Sequence, residues 1–114
     1  MLPPKNRLKA ERDFERIFRN GKAVSGQFLV LKTAPNGKDF SRFGFVVSQK
    51  ISKKATIRNK IKRRLREAVR MLLAKVKSGF DVVFFTRKGI EEKGFLEIKE
   101  SLEELFEKAG LIIK

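Results

Sequence analysis

The sequence has no cysteine and no histidine. The first absence removes disulfide frameworks, thiolate nucleophiles and the usual cysteine-containing zinc sets. The second removes the side chain most often used for acid–base chemistry near neutral pH. No apolar run is long enough to span a bilayer, and residues 1–10 contain no apolar stretch of the signal-peptide kind. A cytoplasmic protein of the bacterial type, with no membrane partner, is therefore expected. Acidic residues are also scarce, with 13 Asp and Glu against 28 Lys and Arg, for a net charge of +15.

What is present is unevenly placed. Residues 1–90 carry 24 Lys/Arg and 6 Asp/Glu, a surplus of 18 positive charges, whereas residues 91–114 carry 4 and 7. A solvated surface selected for stability interleaves both signs. Segregation of this size brings self-repulsion that a polyanionic partner would relieve, and nucleic acid fits first. At 114 residues, 41% hydrophobic and with 11 phenylalanines, the chain is long enough for one domain with its own core, residues 1–114.

Hydrophobic periodicity gives the organisation. Residues 1–9, with Pro3 and Pro4, read as an extended basic arm. From Ala10 the spacing of Phe14, Ile17 and Phe18 predicts a helix that stops at Asn20-Gly21. Short runs at 28–31 and 43–47, separated by Pro35-Asn36-Gly37, predict strand, turn, strand. After a basic loop at 48–55, Thr56 is placed to cap the longest helix, residues 56–75. Its apolar positions Ile57, Ile61, Leu65, Ala68, Val69, Leu72 and Val76 fall on one arc. Residues 80–86 predict a strand covered on both faces, since the run is nearly continuously apolar. A last helix over 95–109 turns Phe95, Ile98, Leu102, Leu105 and Phe106 inward and a row of glutamates outward. A single sheet with helices packed on it is the economical arrangement, an α+β fold.

The 56–75 helix is the candidate functional element. Arg58, Lys60, Lys62, Arg63, Arg64, Arg66 and Arg70 are opposed only by Glu67. Like charges at i, i+4 oppose helix formation by a few tenths of a kcal/mol per pair, so an isolated helix gains nothing from them. RNA phosphates explain them, because each contact releases a condensed counterion and arginine matches phosphate oxygens with a planar fork. Asn59 adds directed donors and acceptors near the helix start. A solvated amphipathic helix is the plain alternative, but the cations are too numerous and too poorly paired for it. Phe14 and Phe18, beside strand aromatics such as Phe28, Phe43 and Phe45, suit either a core or a surface on which bases stack.

The stretch from Lys53 to Ala68, with Arg58-Asn59-Lys60 followed by Lys62-Arg63 and Arg66, resembles the signature of the bacterial ribonuclease P protein family. Asp13-Phe14 with Phe18 and Gly21, the strand from Phe43, and Phe80-Asp81-Val82-Val83 follow in the family's order. Lys60 stands where the family has a second arginine, which keeps the charge and loses the fork. The resemblance implies an α/β sandwich with one sheet of about four strands and three helices, like the second domain of ribosomal protein S5, and a left-handed βαβ crossover. It implies a subunit that binds a large catalytic RNA, one protein per RNA, and promotes 5′ maturation of precursor tRNA without cleaving by itself. Magnesium ions would be held mainly by that RNA, with no cofactor bound by the protein. Arg58, Asn59, Lys60, Lys62, Arg63 and Arg66 would meet the catalytic RNA. Phe14 and Phe18 would line a cleft for the single-stranded 5′ leader, with Lys50, Lys53, Arg87 and Lys88 on its rim.

Two other readings compete. A basic ribosomal or ribosome-assembly protein shares the composition but not the signature. A stand-alone two-metal nuclease needs clustered carboxylates, and Glu11, Asp13 and Glu15 at i, i+2 spacing do not converge.

Overall fold

A computed structural model describes residues 2–113; Met1, the first residue of the expected arm, lies outside them. Among the described residues three α-helices and four strands follow in the order α1 (Glu11–Asn20), β1 (Lys22–Ser25), β2 (Leu29–Pro35), β3 (Arg42–Val46), α2 (Ala55–Leu72), β4 (Phe80–Thr86) and α3 (Phe95–Lys108). The sheet order is β1-β2-β4-β3. The turn after Pro35 therefore joins strands that are not neighbours, because β4 lies between them. β4 pairs antiparallel with β2, Leu31 opposite Phe84, and parallel with β3, Phe45 opposite Phe84. Parallel pairing needs a long crossover, and α2 supplies it.

Alternation along β4 sorts the core into two layers. Val82 and Phe84 face the α2–α3 side, with Leu29, Leu31 and Phe43, against Ile61, Leu65, Ala68, Val69 and Leu72 of α2 and Ile98, Leu102, Leu105 and Phe106 of α3. Phe106 meets both Phe43 and Phe84 edge-on, at 6.1 and 5.5 Å between ring centroids, a favoured geometry for aromatic pairs. Val83 faces the other way, into a smaller cluster with Leu8 and Ile17, flanked by Phe14, Val46 and Phe85. Both faces of β4 are thus covered, as its continuous apolar run requires. The second face has a single helix, α1, which is too narrow to cover four strands. That shortage of cover is what opens a groove there.

Several boundaries differ from the sequence expectation. The N-terminal segment is not a free arm: Leu2 and Leu8 are buried, Pro4–Asn6 form a 3-10 turn, and Arg7 bridges in parallel to Phe43 on the outer edge of β3. Burial of two leucines outweighs the pull of the prolines towards an extended tail. Thr56 does not cap α2. The helix begins at Ala55, its first turn closed by the Lys54 carbonyl, which accepts from the Ile57 and Arg58 N–H groups. At its other end α2 tightens into a 3-10 turn over Leu73–Lys75. β1 is a short edge strand paired only to β2, and its mostly exposed side chains give no apolar alternation to detect.

Candidate nucleic-acid interface

α2 buries its apolar stripe under the sheet, and that fixes where its cations point. Asn59, Lys62, Arg63 and Arg66 fall at i, i+3, i+4 and i+7, so they share one outward row. Asn59, Lys60 and Arg63 are exposed, and Lys62 and Arg66 are half-buried. Among the described residues none of these five side chains makes a hydrogen bond or ion pair within the chain. Arg58, Arg64 and Arg70 differ from them. Arg58 donates to the Ser52 carbonyl (2.9 Å) and Arg64 to the Lys93 carbonyl (3.0 Å), each tying a loop to the helix. Arg70 pairs with Glu67 at 2.5 Å. Of the four arginines and lysines spaced at i, i+4 along α2, Arg58 and Arg70 at the ends are thus anchored, and Lys62 and Arg66 between them are not.

The groove on the opposite face starts at α1. Phe14 and Phe18 are not equivalent there. Phe14 is half-buried and packs against β3, where a Cβ on Gly44 would come within 2.5 Å of its ring atoms Cε1 and Cζ. Glycine at position 44 is what lets α1 approach so closely. Phe18 is 59% exposed and stands edge-on to Phe85, with 5.8 Å between centroids. The Lys32 ammonium sits 4.0 Å from the Phe18 ring centroid, in cation–π range, and also donates to the Phe18 carbonyl. Phe14, Phe18 and Phe85 line a concavity of about 480 Å³, with Glu11, Glu15 and Arg19 on its lip. The sequence had not singled out Phe85 or Lys32 for this site; strand alternation from Val83, and from Val30, would have placed both on this face.

Lys50, Lys53, Arg87 and Lys88 are all exposed. They sit on the loops that leave β3 and β4, and those loops emerge side by side. The strands are parallel with Val46 opposite Phe85, and the Thr86 hydroxyl donates to the Val46 carbonyl (3.1 Å). Arg87 also donates to the Gly26 carbonyl, which fixes its guanidinium near the β1–β2 turn. The four cations gather at the sheet end where α2 begins.

A smaller concavity of about 190 Å³ joins the two surfaces. It lies at the β3 edge and is lined by Arg7, Lys9, Phe14, Phe45 and Arg66 among others. Phe14 therefore borders both concavities, and a chain of cations and aromatic rings runs from α2 around the edge of the sheet to α1. Arg7 and Lys9 join this surface because the N-terminal segment docks on β3, which composition could not foretell.

α1 is held across the sheet by a buried carboxylate. Asp81 on β4 has no exposed surface and accepts from Arg42 (2.6 and 2.8 Å), Arg16 (2.6 Å) and Asn36 (2.9 Å). Burial alone would raise its pKa. Hydrogen bonds from Arg42 and Asn36, with the charges of Arg42 and Arg16, outweigh that and hold it below the usual aspartate value. Asp13 approaches the same two arginines, at 3.5 and 3.9 Å. Asp13 and Asp81, two of the acids a nuclease reading would enlist, are thus taken up by guanidinium groups. Among the described residues no group of three or more His, Cys, Asp or Glu is placed to hold a metal ion, and no helix is long and apolar enough to cross a membrane.

Comparison with known proteins agrees with the signature on α2. The sequence model of the ribonuclease P family matches residues 2–110. The ribonuclease P protein component of Caldanaerobacter subterraneus subsp. tengcongensis is 42% identical over 105 residues, covering 92% of this chain and 90% of its own. That of Syntrophomonas wolfei is 38% identical over 114 residues, covering 100% and 95%. In structure the chain is similar to the RNase P protein of Staphylococcus aureus, with a TM-score of 0.86, 31% identity, and coverage of 95% and 98%.

Proposed function

The chain belongs to the ribonuclease P protein family, whose work is the 5′ maturation of tRNA, and from that premise we propose how its two surfaces divide the task. The outward row of α2, Asn59, Lys62, Arg63 and Arg66, flanked by Lys60 and by the guanidinium N–H groups that Arg58 does not use on the Ser52 carbonyl, meets the catalytic RNA. The groove of Phe14 and Phe18, extended by Phe85 and Lys32, takes the single-stranded leader of precursor tRNA, and Lys50, Lys53, Arg87 and Lys88 attract its phosphates. One protein serves one RNA, in the cytoplasm. The RNA supplies the chemistry and holds the magnesium ions; the protein contributes binding and position.

The observation that carries this reading is the continuity at Phe14, which borders both the aromatic groove and the concavity containing Arg66. A protein that must present a substrate strand to a second RNA needs its two binding surfaces joined. Base stacking on rings, worth about 1–3 kcal/mol per base, tolerates sequence, which suits leaders that vary between precursors. Glu11 and Glu15 on the lip repel phosphates, so the strand is steered towards the cationic sheet end. A protein without histidine or cysteine, with Asp13 and Asp81 committed to arginines, fits a partner that leaves catalysis to RNA.

The test is cleavage of precursor tRNA by a bacterial ribonuclease P RNA at low magnesium. Adding the protein is expected to restore 5′ maturation, and the protein alone is expected to leave the precursor intact. Binding to that RNA without rescue of cleavage would reduce the chain to a general RNA-binding or ribosomal protein.

A further inference from the structure

Nine of the eleven phenylalanines belong to the hydrophobic clusters or pack against them; Phe18 and Phe40 do not. Phe18 is the exposed ring of the leader groove. Phe40 is half-buried and lies at the other end of the sheet, just before β3. It shares with Phe18 a flanking cation, and has two: the ammonium groups of Lys5 and Lys38 lie 5.7 and 5.8 Å from its ring centroid.

The loop that carries Phe40 is held on both flanks. The Asn36 amide donates to the Phe40 carbonyl (3.1 Å) and to Asp81, while its oxygen accepts from the Lys38 N–H (2.8 Å). The Ser41 hydroxyl donates to the Lys77 carbonyl (2.7 Å) and accepts from the Phe80 N–H, and its carbonyl accepts from Asn6. These bonds hold the backbone that carries the ring before any ligand arrives, which lowers the ordering cost of binding. Lys5, Lys38 and Lys77 are exposed, with Asp39 the one acid in the loop.

We propose that Phe40, with Lys5 and Lys38, is a seat for one unpaired nucleotide of the catalytic RNA, its base on the ring and its phosphates on the two ammonium groups. The proposal rests on the reading of this chain as a partner of that RNA. The leader is the less suitable occupant, because the leader groove and its rim cations open at the opposite ends of β3 and β4, with α1 and its Asp81 anchor in between. The catalytic RNA laid along α2 reaches Phe40 naturally. α2 returns the chain from the end of β3 to the start of β4, so its C-terminal turn and Lys77 arrive at the end where Phe40 sits.

The experiment measures binding of the full-length protein to a bacterial ribonuclease P RNA by fluorescence anisotropy over a range of salt. Phe40→Ala is expected to weaken binding about tenfold and Phe40→Trp to restore it, as stacking requires. Lys5→Ala with Lys38→Ala is expected to lower the salt slope by about 2. Wild-type affinity and slope in all these variants would overturn the proposal. So would a loss confined to precursor over mature tRNA in the assembled enzyme, which would hand the seat to the leader. Arg63→Ala with Arg66→Ala serves as the reference. If that variant also binds like the wild type, the role of α2 fails, and a loss at Phe40 in the same series still supports the seat.

Discussion

α2 and α3 bury comparable apolar stripes on the same face of the sheet and pack against each other, yet their outer faces carry opposite charge. α3 presents Glu97, Glu100, Glu103, Glu104 and Glu107, and lysines one turn away answer two of them: Lys93 approaches Glu97 at 3.7 Å and Lys108 approaches Glu104 at 3.6 Å. α2 spends Arg58, Arg64 and Arg70 on internal partners and, among the described residues, leaves Asn59, Lys60, Lys62, Arg63 and Arg66 without any. The lesson is that net charge alone does not mark an interface. Charges that folding has already satisfied contribute to the fold, and those it leaves unsatisfied are available to a partner.

The sharpest way to break this comparison is to remove the unpaired row. Arg63→Ala with Arg66→Ala is expected to weaken binding to the catalytic RNA about a hundredfold at moderate salt, since a charge-assisted contact contributes roughly 1.5–3 kcal/mol. The salt slope is expected to fall by about 2. Thermal stability should hold or rise, because the row repels itself. Unchanged affinity, or a collapse of the thermal midpoint, would place these side chains among the satisfied ones.

Asp81 is the opposite extreme, a charge wholly consumed by folding. Asp81→Asn leaves Arg16 and Arg42 facing a neutral amide and is expected to cost about 3 kcal/mol of stability, the low end for breaking a buried pair because both arginines reach solvent. The folded-state pKa is depressed, so the stabilisation is present above about pH 4 and is lost as pH falls through the folded value. Chemical denaturation at pH 7 and at pH 3 checks this: the gap between wild type and variant should narrow at the lower pH, where the unfolded chain has taken up the proton. The row on α2 does not touch this anchor, so the contribution of that row to RNA affinity should survive in the folded variant.

Phe14 and Phe18 carry the contrast into one short helix. Phe18→Ala is expected to raise the Kd for precursor tRNA about tenfold, through lost stacking, with mature tRNA and the thermal midpoint unchanged. Phe14→Ala is expected to lower stability by about 2 kcal/mol, since its ring is half-buried on Gly44 beside Val83. Parallel binding and melting curves separate the two. Equal behaviour would mean that the groove does not distinguish a packing ring from a presenting one.

That difference was beyond the reach of the sequence, where Phe14 and Phe18 share one helical face and both fit a core or a cleft. What separates them is Gly44, thirty residues away from Phe14 and brought beneath it by β3. The helices and the central strand were legible because their apolar periods are long and regular: Ile61, Leu65, Ala68 and Leu72 predict the buried side of α2, and Val82 to Phe85 predict a strand covered twice. β1 leaves no signal in the sequence, because its mostly exposed residues alternate nothing. The docked N-terminal segment looks like an arm in the sequence, since Leu2 and Leu8 are too few to form a pattern and their burial depends on a β3 edge formed elsewhere. The basic helix announced itself by composition, but which of its cations are free depended on the Ser52 and Lys93 carbonyls, which only folding brings into reach.

The smallest expected effect comes from the paired side. Lys108→Ala removes the partner of Glu104 in the last turn of α3, where both side chains are more than half exposed. Water already screens such a pair, and holding two long side chains together costs rotamer entropy, so exposed pairs are worth only about 0.2–1 kcal/mol. The lysine also sits at the negative end of the helix dipole, a contribution of similar size. Together these place the loss near about 0.5 kcal/mol, readable as a small shift of the denaturation midpoint that shrinks as salt is added. RNA affinity should not move, although the substitution removes one positive charge, as does each alanine on α2. If Lys108→Ala weakened RNA binding as much as Arg63→Ala, total charge would govern association, and the distinction between satisfied and unsatisfied cations would fail.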